Sequence, residues 1–202
     1  MGDAGYVYAL LEEASRQMLT DIRTPVSSLH SLIVDDTAGV NAAMVASATS
    51  VDVPLKSDFL RLVTLKVDGW YRAIHAEDVV ESESNDVFQR YEDGTLNALS
   101  TRPLAALVFT ASPATGYADS SLRCYPGSAD ATPVTTMQYV PVTAPEDVGT
   151  SLTEPMVWKA AQLVFQPIDP EISTMCLGQY EAIMASRRAQ HSNVATRPYR
   201  YL

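Results

Sequence analysis

The chain has 202 residues, 47% apolar and 19% charged, proportions that suit a folded protein with its own core and exclude a disordered or membranous composition. It carries 24 acidic and 14 basic residues, and the resulting net charge of −10 repels phosphate, which argues against duplex nucleic-acid binding by the chain as a whole. The charge is uneven: every acid lies at or before Glu181 and four of the arginines lie after it, so residues 1–181 carry −14 and residues 182–202 carry +4. No run of about 18 apolar residues occurs, so no membrane span is expected. Met1 to Tyr6 has neither a basic nor an apolar region of the signal-peptide kind.

The spacing predicts a first helix over 4–23. Tyr6, Leu10, Ala14, Met18 and Ile22 recur every fourth residue, with Asp3 as N-cap and Thr24-Pro25 as the stop. Residues 26–34 read as a short helix and residues 35–53 as a loop. The strongest β signal follows. Phe59 to Val67 alternates, Asp68-Gly69 makes a two-residue turn with positive φ at both positions, and Trp70 to Ile74 reads as the returning strand of a hairpin. An acidic segment, 77–86, leads into a helical turn near 87–91. Three more strands are expected at 103–110, 121–125 and 135–142, divided by loops rich in Pro, Gly, Ser and Asp.

Helix returns at Thr153, the expected cap, with Pro155 in the first turn and an apolar stripe of Met156, Val157, Ala160, Ala161 and Val164. Gln166-Pro167 ends it. Asp169-Pro170-Glu171 starts another, with Ile172, Met175, Cys176, Tyr180, Ile183 and Met184 on its stripe. The short linker implies an antiparallel helical hairpin, with helix 4–23 as its third member. The fold class read from this order is α+β. A helical bundle (1–34 and 150–186) is interrupted by a small antiparallel β-rich insert (54–142), and residues 187–202 form an extended tail.

Candidate chemistry is sparse. His30, His75 and His191 are scattered, and no nucleophile elbow accompanies them. Cys124 and Cys176 stand far apart without metal-ligand spacing, and read as two buried thiols. The acidic segment lacks a calcium-loop pattern, and no phosphate-binding glycine motif occurs. Catalytic, metal and cofactor sites are therefore expected to be absent. The tail is the most informative piece: Arg197-Pro198-Tyr199-Arg200-Tyr201-Leu202 is rich in Arg and Tyr, the residues enriched at interface hot spots. Partner docking is its first reading, nucleic-acid contact the second and plain disorder the third.

Pro54 to Val63, containing Asp58, Phe59 and Arg61, is followed by Val67-Asp68-Gly69-Trp70-Tyr71-Arg72. These runs resemble a strand-and-hairpin pattern of head–tail connector (ring or adaptor) proteins of crAss-like tailed phages. Strands at Pro103 to Val108 and Tyr139 to Pro141 and a helical pair follow in the same order, so the resemblance covers roughly residues 54–185. It implies a structural virion protein at the head–tail interface, made in the bacterial cytoplasm. Such a protein forms a homo-oligomeric ring, typically of twelve copies, docked on the portal. The ring contacts other tail or ring proteins, and viral DNA passes through it without sequence-specific binding. The residues that would meet the portal are then Arg187, Arg188, Arg197, Tyr199, Arg200, Tyr201 and Leu202. Two other readings stay open: a tail-associated hydrolase using paired carboxylates such as Glu77 and Glu81, and a stand-alone binding module.

Overall fold

In the computed structural model the described residues are 4–21, 32–47, 49–80, 101–109, 120–128, 130 and 133–195. In chain order the elements are α1 (Ala4–Asp21), β1 (Val34–Asp35), α2 (Thr37–Ala43), β2 (Val45–Ala46), β3 (Val51–Pro54), β4 (Phe59–Val67), β5 (Val79–Val80), β6 (Leu104–Phe109), β7 (Ser120–Tyr125), β8 (Val134–Pro141), α3 (Thr150–Phe165) and α4 (Pro170–Ala195). The fold is mixed α+β, with four helices and two sheets among the described residues. The chain divides into two compact units, Met1–Leu32 with Val142–Leu202, and Ile33–Pro141.

In the first unit, α1 packs on α3 and α3 on α4. Ala14, Ser15, Met18 and Leu19 are the buried residues of α1. The expected stripe holds only over the second half of the helix, because Tyr6 and Val7 are 57% and 49% exposed. Helix α3 starts three residues before Thr153. Gly149, at φ +85°, takes the N-cap position that a residue with a Cβ rarely adopts, and the Thr153 hydroxyl donates back to the Gly149 carbonyl at 3.2 Å. Pro155 is therefore in the second turn, where its missing N–H leaves the Ser151 carbonyl without its helical donor.

The start of α4 follows the sequence signal. Asp169 Oδ1 accepts from the backbone N–H groups of Glu171 and Ile172 at 3.1 and 3.2 Å. Three pairs set the direction of the two helices: Ser173 Oγ donates to Gln162 O at 3.1 Å, Lys159 Nζ lies 5.3 Å from the Tyr180 ring centre, and the Arg187 guanidinium donates to Ser151 O. Numbers fall along α3 as they rise along α4, so the helices are antiparallel. Ser173, Cys176, Tyr180 and Met184 are buried, whereas Met175 and, on α3, Val157 point outward.

Residues 187–195 continue α4, correcting the expectation that the tail is extended from Arg187 onward. A helix with no apolar stripe gives no periodic signal, yet these residues are mostly ordinary helix formers that cost little to add to an existing helix. Residues 196–202 lie outside the described residues.

The second unit holds both sheets, in the orders β1-β8-β4 and β2-β3-β7-β6-β5. All pairings are antiparallel except β5 with β6. Its core is drawn from both: Leu62, Leu65, Val67, Met137 and Tyr139 from one sheet, and Val51, Val53, Leu122 and Cys124 from the other, with Trp70 and Ile74. The alternation is period two, Val51 and Val53 inward on β3 and Leu122 and Cys124 inward on β7. Arg123 and Asp52, directly paired across β3 and β7, form an ion pair at 2.9 Å.

Two expectations are corrected here. The loop 35–53 is a folded element group. Helix α2 docks on β8 through Asn41, whose side chain donates to Val134 O at 2.7 Å and accepts from Val134 N at 3.0 Å, acting as a one-residue strand edge. The Thr37 hydroxyl likewise accepts from Met137 N at 2.9 Å. Segment 70–74 is not a returning strand, because β4 pairs with β8 and meets Ile74 only at Leu65. Trp70 N donates to Val67 O at 3.1 Å, and Gly69 has φ +80° while Asp68 does not have positive φ. That is the φ pattern of a type II turn, which splays strands instead of continuing them as a two-residue hairpin.

Candidate functional site

The residues of the strand-and-turn motif are framework. Asp58 is exposed and accepts from the Tyr139 hydroxyl at 3.0 Å, and the Phe59 ring lies 5.5 Å from the Tyr139 ring. Burial, then the bond to Asp58, pushes the Tyr139 hydroxyl well above the usual tyrosine range. Trp70 is buried and its indole N–H donates to Pro126 O at 3.0 Å. Asp68 N donates to Pro133 O at 2.6 Å. Each contact ties the turn or β4 to a distant part of the second unit.

Arg61 and Arg72 converge on the short helical turn Ala76–Asp78. Arg72 holds Asp78 in a two-pronged pair at 2.9 and 2.7 Å, and His75 N donates to the same carboxylate at 3.0 Å. This pairing with Arg72 lowers the Asp78 carboxyl below its ordinary range. Arg61 is half-buried, and its Nε has no hydrogen-bond partner. Desolvation lowers the guanidinium while the nearby Glu77 charge favours it. The His75 ring donates from Nδ1 to Val63 O at 2.7 Å, closing part of the open edge of β4. Both Asp78 oxygens are bound, and His75 is engaged to the backbone through Nδ1. Glu81, the other half of the proposed carboxylate pair, lies outside the described residues.

Among the expected docking residues, Arg187 turns inward. Its guanidinium supplies the donor that Pro155 withholds from Ser151. Arg188 lies on α4, and Arg197, Tyr199, Arg200, Tyr201 and Leu202 lie outside the described residues. His30 does as well, and His191 is placed on α4. Cys124 and Cys176 are free and buried, and burial raises the Cys124 thiol far above its ordinary value. Among the described residues no group of three His, Cys, Asp or Glu is arranged to hold a metal, and no helix is long and apolar enough to cross a membrane.

A surface not anticipated from the sequence lies on the first unit. An open groove of about 350 Å³ runs between α1 and the segment 142–144, lined by Ala9, Glu12, Glu13 and Arg16 on one side and Val142 to Ala144 on the other. Beside it the Tyr8 hydroxyl donates to both Glu146 oxygens, at 3.0 and 3.2 Å. The bond to Glu146, with the charges of Glu12 and Asp147, raises the Tyr8 hydroxyl. The sequence hides this surface because Glu12, Glu13 and Arg16 lie off the stripe of Tyr6, Leu10, Ala14 and Met18, where periodicity alone reads a solvated face. No protein-family model matches the chain, and no curated protein matches it.

Proposed function

We propose that the chain is a structural subunit of a head-to-tail connector ring in a tailed-phage virion. In this reading a helical bundle is interrupted by a β-rich module, and copies close into a ring that docks on the portal, extends the DNA channel and joins capsid to tail. The reading starts from the resemblance carried by Asp58-Phe59, Arg61, Asp68-Gly69-Trp70 and Arg72. The feature that carries it further is the separation of charge along the chain. Residues 1–181 sum to −14 and residues 182–202 to +4, and the helix that begins the basic stretch overshoots its neighbour. Arg187 is level with Ser151 in the first turn of α3, so residues 188–195 extend α4 about 12 Å past that level at the usual helical rise. A ring of identical subunits needs two unlike faces that fit each other, and stretches of opposite charge within one chain are suited to form them. The acidic remainder suits a channel wall along which DNA slides without being held.

The test is native mass spectrometry with negative-stain electron microscopy, on the purified chain alone and mixed with portal. Closed rings, twelve-fold if the resemblance extends to copy number, are the expected result. A monomer under both conditions refutes the reading.

A further inference from the structure

We infer that the segment Arg197–Leu202 of one copy seats in the α1 groove of a second copy; this rests on the ring reading and names the contact between neighbours. The groove is acidic with apolar walls. Glu12, Glu13 and Arg16 line it, so that Arg16 offsets one charge, and Glu146 and Asp147 add two more beside Tyr8. Ala9, Val142 and Ala144 supply apolar surface. Tyr6 continues the same face of α1 by one turn, at the i, i+3, i+7 spacing with Ala9 and Glu13, and its ring is 57% exposed.

The segment is the complement. It holds two arginines for the carboxylates, and two tyrosines, a proline and a leucine for the apolar wall, with no acid. Lengths agree as well. From Tyr6 to Arg16 the helix rises about 15 Å, and six residues in extended form span up to about 20 Å. The direction of α4 favours a neighbour over the same copy, because the helix carries the chain about 12 Å past Ser151 and away from its own helical pair. Groove and segment are different parts of one chain, so the contact is heterologous and repeats from copy to copy until it closes.

The test uses the full chain in two charge-reversed forms, Glu12→Arg/Glu13→Arg in the groove and Arg197→Glu/Arg200→Glu in the segment. Thermal melts by circular dichroism confirm that both remain folded. Two readouts are taken: mass by native mass spectrometry, and fluorescence anisotropy of a labelled synthetic peptide of residues 195–202. The wild type is expected to assemble and each reversed form to stay monomeric. An equimolar mixture of the two should recover assembly, since each segment then meets an opposite groove. The peptide should bind wild type and lose roughly tenfold or more in affinity on the groove-reversed form.

Reversed forms that assemble like wild type overturn the contact and leave the ring reading standing. Rings that form normally from the segment-reversed chain but no longer attach to portal assign the segment to the portal, and also overturn it. A wild type that stays monomeric overturns both the ring reading and the contact between copies, even where the peptide binds the intact groove. A peptide that binds neither form overturns the contact.

Discussion

Arg187 and Pro155 should be energetically coupled although they lie on different helices. Pro155 cannot give the N–H that an α-helix directs at the carbonyl four residues earlier, and the guanidinium from α4 takes that place at Ser151. A hydrogen bond from a charged donor contributes about 1.5–3 kcal/mol when well shielded. Ser151 is exposed and Arg187 half-exposed, so water competes at this carbonyl, and about 1 kcal/mol is the appropriate size for Arg187→Ala. In a Pro155→Ala background the new N–H reaches Ser151 O within the helix. Arg187→Ala should then cost only about 0.3 kcal/mol, a coupling of about 0.7 kcal/mol. Urea unfolding of the four proteins of the cycle, followed by far-UV circular dichroism, measures it. If Arg187→Ala costs the same in both backgrounds, within the usual few tenths of a kcal/mol, Arg187 is not replacing the proline's missing donor.

Three further outcomes are expected. Asp78 is held below the ordinary aspartate range chiefly by Arg72, so the pair's stabilisation is fully present above that range and is lost as pH falls through the lower folded value. The difference in melting temperature between wild type and Asp78→Asn should shrink steadily below about pH 4, and a difference unchanged down to pH 2 contradicts the pairing. Gly69→Ala should cost about 1 kcal/mol, because φ is +80° but nothing crowds the new Cβ; Gly127→Ala should cost about 3 kcal/mol or more, because its Cβ collides with the backbone of Ser47, Thr49 and Ser50. Similar urea midpoints for the two variants would contradict that distinction. Both cysteines are buried and free, so a thiol reagent should label neither in the native protein and both after unfolding; rapid native labelling of Cys124 contradicts its placement in the core.

Strong periodicity and punctuation in the sequence located most of the long elements. Alternation identified β4, the small-polar breaks delimited β6, β7 and β8, and Asp169 marked the start of α4. Short elements were hidden. Helix α2 has seven residues with only Val40 buried, and β1, β2 and β5 have two residues each, so none spans a period. Pairing was hidden for another reason. Asp68-Gly69 suggested a local partner for β4, but the partner is β8, some seventy residues on, chosen by the core that Leu65, Met137 and Tyr139 share. For the candidate surfaces, residue types were visible and directions were not. The sequence shows Arg187 as a cation but not that it faces Ser151, and the stripe through Tyr6 does not show that burial on α1 begins at Ala14.

The discontinuity of the first unit governs how the protein is made. Helix α1 leaves the ribosome before any part of the second unit, and α3, which packs on it, is translated more than 120 residues later. At about 5–20 residues per second, α1 waits on the order of ten seconds with its apolar residues uncovered. The second unit lies wholly within that wait, and its first sheet closes only when β8 emerges. The order of synthesis therefore makes the β-rich unit the first to fold, and leaves the helical unit, with the groove on α1, to form last.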